Sequence, residues 1–452
     1  MGLTKLLIAG VGPFENTTLD FSDGNGKPHM GPHIIAGVNG CGKSTVLRAI
    51  AATAVRSAAD GFPFEWWDHH VWSRDNSAVV GWWHHIGTGS SRRFASVPHP
   101  VEPAWLDSNA ASLLFRLMHL LGEKSLSSQQ ALGSSGTQVL GLDGYDGGNE
   151  VLVAAYAPSL RVKHFTADEL ARISTSTQLD ALAFESAVNG PGVQQLLKDL
   201  RLLTSNTHFD KLDTHVLKQT LDQIERALSG ILGSKAAIEV EAAFDPIVRL
   251  KIGQQLLNLS QLPDGARNLL GWLVDFVRRR GTMKWPEELK PSKPAVLLVD
   301  EVDAHLHPKW QRVILPALKK AFEGEQVQII VTTHSPFVIS SCPGARVHVL
   351  DVDEVGHATA RPPVDAPVGQ SVAATIKDVF GVTSRFDVET EGKLKRWNEY
   401  RRSMAAGTMS AGERRAFEKL TAQLANTSEE LRLLVGALPK FPSKTLQDLL
   451  LG

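Results

Sequence analysis

Cysteine is nearly absent. Cys41 and Cys342 are the only two in 452 residues, so no disulfide framework holds the fold and a reducing compartment is expected. Long apolar runs are missing as well: none approaches the ~20 residues of a membrane span. No leader-like segment precedes Leu3, so the expected location is the cytoplasm, away from any membrane. An excess of one charge is also lacking, since 47 Lys and Arg face 48 Asp and Glu. That balance excludes a uniformly basic nucleic-acid binder, though not a local basic face. What remains is an ordinary globular composition, 43% hydrophobic and 21% charged, in a chain long enough for two or three domains or for one with large insertions.

Residues 37–45 read GVNGCGKST and fit the pattern G-x-x-x-x-G-K-[ST] through Gly37, Gly42, Lys43 and Ser44. Glycines let backbone N–H groups curl around a β-phosphate, a role in which Asn39, Gly40 and Thr45 share. Lys43 reaches the β- and γ-phosphates, and the Ser44 hydroxyl ligates Mg²⁺. The apolar His33–Ala36 precedes the loop and a helix-like run from Ser44 to Val55 follows it, as a strand–loop–helix unit requires. Far along the chain, Ala295–Val299 is an unbroken apolar run ending in Asp300 and Glu301. Such a run suits a central parallel strand buried on both faces, and ligands lie beyond the carboxyl ends of such strands. Asp300 is then expected in the Mg²⁺ shell, with Glu301 polarising the attacking water; the chemistry is ATP hydrolysis. A third apolar strand, Val327–Val331, leads into Thr332-Thr333-His334-Ser335-Pro336, and His334 is placed to reach the γ-phosphate.

The chain divides into five expected segments, two of them parts of one ATPase core. Residues 1–60 carry the first part of the ATPase core, opening on a hairpin over Leu3–Phe21 that turns at Gly10–Pro13. Residues 61–165 form an insertion returning to the core near Val151–Tyr156. It is rich first in Trp and His, with five tryptophans between Trp66 and Trp83, and then in Gly and Ser over 122–150, where a mobile loop is expected. Residues 166–256 form a helical subdomain with two apolar faces, Val193/Leu196/Leu197/Leu200 and Leu217/Leu221/Ile224/Leu228, and a hairpin turning at Asp245-Pro246. Residues 257–365 complete the core; there Trp310 to Ala321 form one amphipathic helical stripe that Pro316 should kink. Residues 366–452 are a helical tail, with capping boxes expected at Ser410/Glu413 and Thr427/Glu430.

GVNGCGKST, LPDGA at 262–266, VLLVDEVDAHLHP at 296–308 and TTHSP at 332–336, in that order, resemble the ABC-type ATPase heads. The likeness is to the prokaryotic branch with HLHP after the catalytic acids, which includes overcoming-lysogenisation-defect proteins, relatives of SMC and DNA-repair heads, and the ATPases of Septu-type anti-phage systems. It covers residues 3–50 and 257–352, roughly a third of the chain, and is absent across the Trp/His insertion. The resemblance implies an α/β fold: an ABC-type head (P-loop NTPase) with a mixed sheet, a helical subdomain insertion and a helical C-terminal tail. It also implies that Asp264 and Gly265 open a helix whose N-terminus meets ATP held by a second copy, giving a homodimer or higher oligomer. Three departures stand out: Pro263 replaces the usual signature serine, His307 the usual D-loop aspartate, and no glutamine occurs between Ser44 and Gln129.

By the same resemblance, the expected function is that of an ATP-hydrolysing regulatory subunit in bacterial anti-phage defence, paired with a separately encoded HNH-type nuclease. The alternative is an SMC- or RecF-like DNA-repair or recombination ATPase, and HLHP and the long tail speak against a transporter ATPase. Three other features stay open. His69-His70 and His84-His85 lack metal-ligand spacing. The Trp-rich stretch packs a subdomain or presents a partner surface. Arg278–Arg280, Lys393–Arg402 and Arg414-Arg415 are solvated helix faces or contact DNA or another nucleic acid. Asp351 and Asp353 read as a strand end rather than as a nuclease centre.

Overall fold

The computed structural model describes residues 2–54, 78–84, 91–97, 128–132, 138–142, 151–157, 182–183, 197–198, 201, 211–241, 247–282, 292–382, 384 and 386–436. They form two compact units, Met1–Gly369 and Gln370–Gly452. The first unit opens with β1 (Gly2–Val11), β2 (Phe14–Asp20), β3 (His33–Gly37) and α1 (Lys43–Ala54). Then come β4 (Ala78–His84), β5 (Ser91–Val97), β6 (Ser128–Leu132), β7 (Gln138–Leu142), β8 (Leu152–Tyr156) and β9 (Leu182–Ala183). The expected opening hairpin is present, with β1 and β2 antiparallel from Lys5↔Asp20 to Val11↔Phe14.

Two features depart from the sequence expectations. The Trp/His stretch supplies β4 and β5, and the Gly/Ser stretch supplies β6 and β7 where a mobile loop was expected. Together they extend the opening hairpin into a six-stranded antiparallel sheet, β2-β1-β4-β5-β7-β6. The strands were hidden because Gly and Ser dominate composition there, while the apolar residues that pair across β6 and β7 are few. Trp83 is buried and donates from Nε1 to Thr53 Oγ1 of α1 at 3.2 Å. It therefore packs the core, while Trp66, Trp67 and Trp72 lie outside the described residues.

α2 (Lys211–Leu232) buries Leu221, Ile224 and Leu228, as its periodicity requires. The other apolar face, around Val193–Leu200, falls largely outside the described residues. The expected hairpin appears as β10 (Ala236–Glu241) and β11 (Ile247–Ile252), joined by a third strand, β12 (Gln255–Asn258); residues 242–246 lie outside the described set. α3 (Asp264–Thr282) precedes β13 (Ala295–Val299). The stripe from Trp310 to Ala321 is two helices rather than one kinked helix: α4 (Pro308–Gln311) and α5 (Ile314–Ala321). Proline at the third position of α5 has no N–H to give, and its ring crowds the carbonyl one turn earlier. The helix therefore restarts at Ile314 instead of running through.

β14 (Val327–Thr333), α6 (Pro336–Ile339), β15 (Arg346–Val352), β16 (Ala358–Ala360) and β17 (Val364–Asp365) complete the unit. The central sheet runs β16-β15-β3-β14-β13-β8-β9, with β17 also on β15. From β15 to β9 every neighbouring pair is parallel; β16 and β17 pair antiparallel. Every residue of β3, β8, β13 and β14 is buried, so apolar side chains fill both faces. All carboxyl ends of the parallel strands lie at one sheet edge.

At the opposite end of that sheet sits a buried polar group. His33 Nδ1 and His348 Nε2 are 3.1 Å apart, and His33 Nε2 lies 3.0 Å from His29 O. Burial drives His33 well below the ordinary imidazole range and His348 down to about 3, with Arg346 and His29 adding repulsion and Asp20 opposing it at His348. Protons thus bind the unfolded chain more readily. This contribution to stability is fully present above about pH 6.5 and is lost as pH falls toward the folded pKa values. Each such histidine adds a slope of up to about 1.4 kcal/mol per pH unit within that window. His348→Gln, which cannot titrate, should show a visibly flatter fall in urea midpoint between pH 6.5 and 4.

The second unit is helical: α7 (Val372–Phe380), α8 (Val388–Ala405), α9 (Ala411–Thr427) and α10 (Glu429–Gly436). Trp397 anchors it, stacking on Phe417 at 5.7 Å and donating to Thr421 Oγ1, amid Leu394, Leu420, Leu424, Leu431 and Val435. The Ser410/Glu413 capping box is present. The second expected box is not: Thr427 ends α9, and Ser428 caps α10 through Leu431 N. One residue of shift moves the cap because Thr427 is used by the preceding helix, bonding back to Gln423 O. Among the described residues no helix is long and apolar enough to cross a membrane.

Candidate functional site

Three adjacent strands deliver the expected residues to one edge. β14 lies between β3, which ends in the phosphate loop, and β13, which ends in the paired acids. In register, Thr333 stands opposite Ala36, and Val299 opposite Val331. His334 therefore leaves β14 between Lys43 on one side and Asp300 and Glu301 on the other.

The loop from Gly37 to Gly42 needs glycine by conformation and by space. Gly37, Gly40 and Gly42 all have positive φ, 155°, 79° and 90°. A Cβ on Gly42 would fall 2.6 Å from the Phe14 ring, and one on Gly37 2.6 Å from Leu350 O. Lys43 is buried, and its Nζ donates to Val38 O at 2.9 Å and Gly37 O at 3.2 Å. Ser44 and Thr45 follow in the first turn of α1, both partly exposed, while Asn39 and Gly40 are exposed at the loop tip. The Cys41 thiol is fully buried; burial pushes its pKa up, with Lys43 partly opposing. That keeps it a weak nucleophile inside the loop.

The acids are held by the end of β14. Thr332 Oγ1 donates to Asp300 Oδ1 and accepts from Glu301 N at 2.7 Å, and Val302 N donates to Thr332 O at 3.0 Å. Asp300 N bonds to Tyr156 O at the end of β8. Glu301 is exposed and sits at φ 46°, in the left-handed region. One residue on, Thr333 Oγ1 donates to Asp303 Oδ1, and Ser335 N donates to Thr333 Oγ1 at 2.9 Å. Ser335 Oγ then donates to Gln311 Oε1, whose amide donates to Leu306 O at 2.9 Å. Thr332, Thr333, Asp303 and Gln311 were not among the expected site residues. Their partners are some 24 to 32 residues apart in sequence, so only the strand pairing reveals them.

His334 is partly buried, and its pKa is lowered by burial first and then by Lys43. Asp303, Glu301 and Asp300 pull the other way. The imidazole thus stays neutral near pH 7, with one ring nitrogen to donate and one to accept. Lys43, Asp300 and Glu301 thus all act on the field at His334.

Asp264 and Gly265 are placed differently: they open α3 against the loop that follows the acids. The Asp264 carboxylate is exposed and paired with Arg267 at 2.5 Å. A Cβ on Gly265 would fall 2.4 Å from the His305 carbonyl oxygen and 2.9 Å from Leu306 Cδ2. His307, at the D-loop position, caps α4 by accepting from Lys309 N. Gly265→Ala should therefore destabilise. The gain in helix propensity is about 1 kcal/mol, but a backbone carbonyl cannot yield cheaply, and overpacking costs about 1–3 kcal/mol. A lowered Tm with the His305–Leu306 turn displaced in a crystal structure checks this; an unchanged Tm counts against it.

One expectation, the arginine cluster, finds other employment, while Asp351 and Asp353 lie at a strand end as expected. Arg279 pairs with Asp275 Oδ2 at 2.6 Å, and Arg280 with Glu325, so these two side chains belong to a buried network rather than to a solvated helix face. Asp351 pairs with Arg361, and Asp353 accepts backbone N–H groups of its own turn from Val355, Gly356 and His357.

The donor set fits a nucleoside triphosphate with a divalent cation. It comprises a glycine-walled cradle of backbone N–H groups, a buried ammonium, a hydroxyl at Ser44 and a nearly buried carboxylate at Asp300.

A family model described as "AAA domain, putative AbiEii toxin, Type IV TA system" matches residues 198–340, and one described as "AAA domain" matches residues 5–58. "Retron Ec83 probable ATPase" of Escherichia coli is 26% identical over 395 residues, covering 75% of this chain and 69% of that protein. "Septu protein PtuA" of Bacillus mycoides is 23% identical over 162 residues, 36% of this chain and 22% of that one. The solved "SMC head domain from Thermotoga maritima" superposes with a TM-score of 0.39 at 16% identity, over 80% of this chain and 99% of that one. The two family matches fall on the two halves of the site, one bearing the phosphate loop and the other the paired acids and His334. The chain is thus a P-loop ATPase that resembles the ABC-type ATPases of Septu-type defence systems.

Proposed function

We propose that this chain is the ATP-binding and hydrolysing subunit of a bacterial anti-phage defence complex. It works in the cytoplasm, dimerises head to head around ATP and controls a separately encoded HNH-type nuclease. The observation that carries the hydrolytic part is the convergence of Lys43, Asp300, Glu301 and His334 on the carboxyl edge of three adjacent parallel strands. The defence part draws on the similarity to retron and Septu proteins. A separate nuclease is favoured because Asp351 and Asp353 are already engaged, by Arg361 and by a turn.

In this site the Gly37–Thr45 loop binds the phosphates, and Lys43 neutralises charge on the β- and γ-oxygens. Ser44 and Asp300 would hold Mg²⁺, which when bound offsets the negative charge that grows on the phosphate oxygens. Glu301, exposed beside Asp300, orients the attacking water and accepts its proton. His334 in its neutral form donates a hydrogen bond toward the γ-phosphate. The exposed N-terminus of α3, with Asp264 neutralised by Arg267, meets the nucleotide of a second copy.

The test is phage plating in cells carrying this gene within its native gene cluster, with the HNH-type nuclease gene expected there. Protection is expected, and it should vanish with Lys43→Ala in this chain or with the nuclease removed. Unchanged plating beside a new sensitivity to DNA damage would replace this function with a repair ATPase.

A further inference from the structure

We propose that Thr332 is a positioning residue for hydrolysis, its one hydroxyl holding the metal-binding carboxylate of Asp300 and the backbone of the water-orienting Glu301. The proposal rests on the ATP site described above.

Thr332 and Thr333 end a strand otherwise built of Val, Gln and Ile, and both are completely buried. Valine has the same shape, fits a buried strand at least as well and brings no polar atom to satisfy, so a hydroxyl at this depth calls for a cause. At Thr332 that cause is on view. The hydroxyl proton goes to Asp300 Oδ1, and the oxygen takes the N–H of Glu301, while the carbonyl takes the N–H of Val302. One residue thereby grips three consecutive residues of the catalytic turn.

The middle one is the strained one. Glu301 has φ 46°, a conformation that L side chains other than Asn and Asp seldom adopt and that persists only where surroundings over-determine it. In extended backbone, neighbouring side chains point to opposite faces. The left-handed step at Glu301 breaks that alternation directly after Asp300, where two carboxylates must serve a single nucleotide. The Glu301 N to Thr332 Oγ1 bond closes this step, and the bond from the same hydroxyl sets the rotation of the Asp300 carboxylate. Thr333 does similar work one residue later, its hydroxyl donating to Asp303 and accepting from Ser335 N.

Thr332→Val keeps the shape and removes both bonds; Thr332→Ser keeps both bonds and removes only a methyl group. In the full chain, Thr332→Val should lower kcat about 10- to 100-fold, the usual consequence of a loosened second shell. Affinity for ATP without metal should stay within about threefold, because the Gly37–Thr45 loop is untouched. Mn²⁺ binding, followed by electron paramagnetic resonance with a non-hydrolysable ATP analogue, should weaken about 10-fold. Thr332→Ser should restore both quantities to within about threefold of the parent. If Thr332→Val fails to fold, Thr332→Ala, which also lacks the hydroxyl, carries the same expectation. Wild-type kcat and Mn²⁺ affinity in the Val variant would overturn the proposal, as would a Ser variant as impaired as Val. A parent protein that binds no ATP would instead overturn the site itself, and that outcome shows without any substitution at 332.

Discussion

Lys43→Ala is expected to bind ATP about 100-fold more weakly, in keeping with the loss of hydrogen bonds from a charged donor worth roughly 1.5–3 kcal/mol. The effect should be large because Lys43 is nearly buried, so water replaces its ammonium poorly. Its bonds to the carbonyls of Gly37 and Val38 also tie it into the loop, so the substitution removes an internal brace together with the charge. Two measurements separate these losses. Calorimetric titration with ATP reads binding, and the Tm without nucleotide reads the brace. Because Lys43 Nζ donates to Gly37 O, Val38 O and, at 3.8 Å, Cys41 Sγ, all within its own loop, the change in Tm should be small beside the change in affinity. Undiminished ATP affinity would remove Lys43 from the site altogether. Lys43→Arg should not rescue, since the planar, wider guanidinium cannot reproduce the compact ammonium that donates to Gly37 O and Val38 O.

The phosphate loop was legible in the sequence because its chemistry is local: a buried strand, glycines at fixed offsets and a helix, all within Ile34–Ile50. The paired acids were legible for a similar reason, since a run such as Ala295–Val299 announces a central strand and hence where its end must lie. His334 followed from its place after a third such run. What sequence could not supply was the partner of each side chain across strands. Thr332 and Thr333 looked like the polar end of a strand, and only the β13–β14 pairing shows that their hydroxyls meet Asp300 and Asp303. Arg279 and Arg280 looked like a basic patch. The i,i+4 acid at Asp275 was in view, but Glu325, which holds Arg280, comes from the turn before β14. The antiparallel sheet was half hidden for another reason. Pairing in β4 to β7 rests on short segments whose Trp, His, Gly and Ser content masks any two-residue alternation.

Glu301→Gln should preserve ATP binding and slow hydrolysis about 100- to 10,000-fold, the range typical for losing a general base. The substitution isolates the carboxylate unusually well. The Glu301 side chain is exposed, and the residue is held through its backbone by Thr332 Oγ1, so glutamine keeps both the turn and the grip on Asp300. Glutamine matches the size and still forms hydrogen bonds, but it carries no charge and takes no proton from water. If the N-terminus of α3 binds ATP seated on a second copy, nucleotide trapped in this variant should hold the two heads closed. Light scattering with and without ATP reads the mass, and spin labels on the two heads read their separation. The distance probe is needed because a dimer formed through other surfaces would keep its mass whatever the heads do. Hydrolysis at the parent rate would remove Glu301 from the chemistry. Tight ATP binding with an unchanged head separation would leave the chemistry in place and refute closure, because the nucleotide would then be bound by one copy alone, with Asp264 and Gly265 serving only to pack α3 against His305.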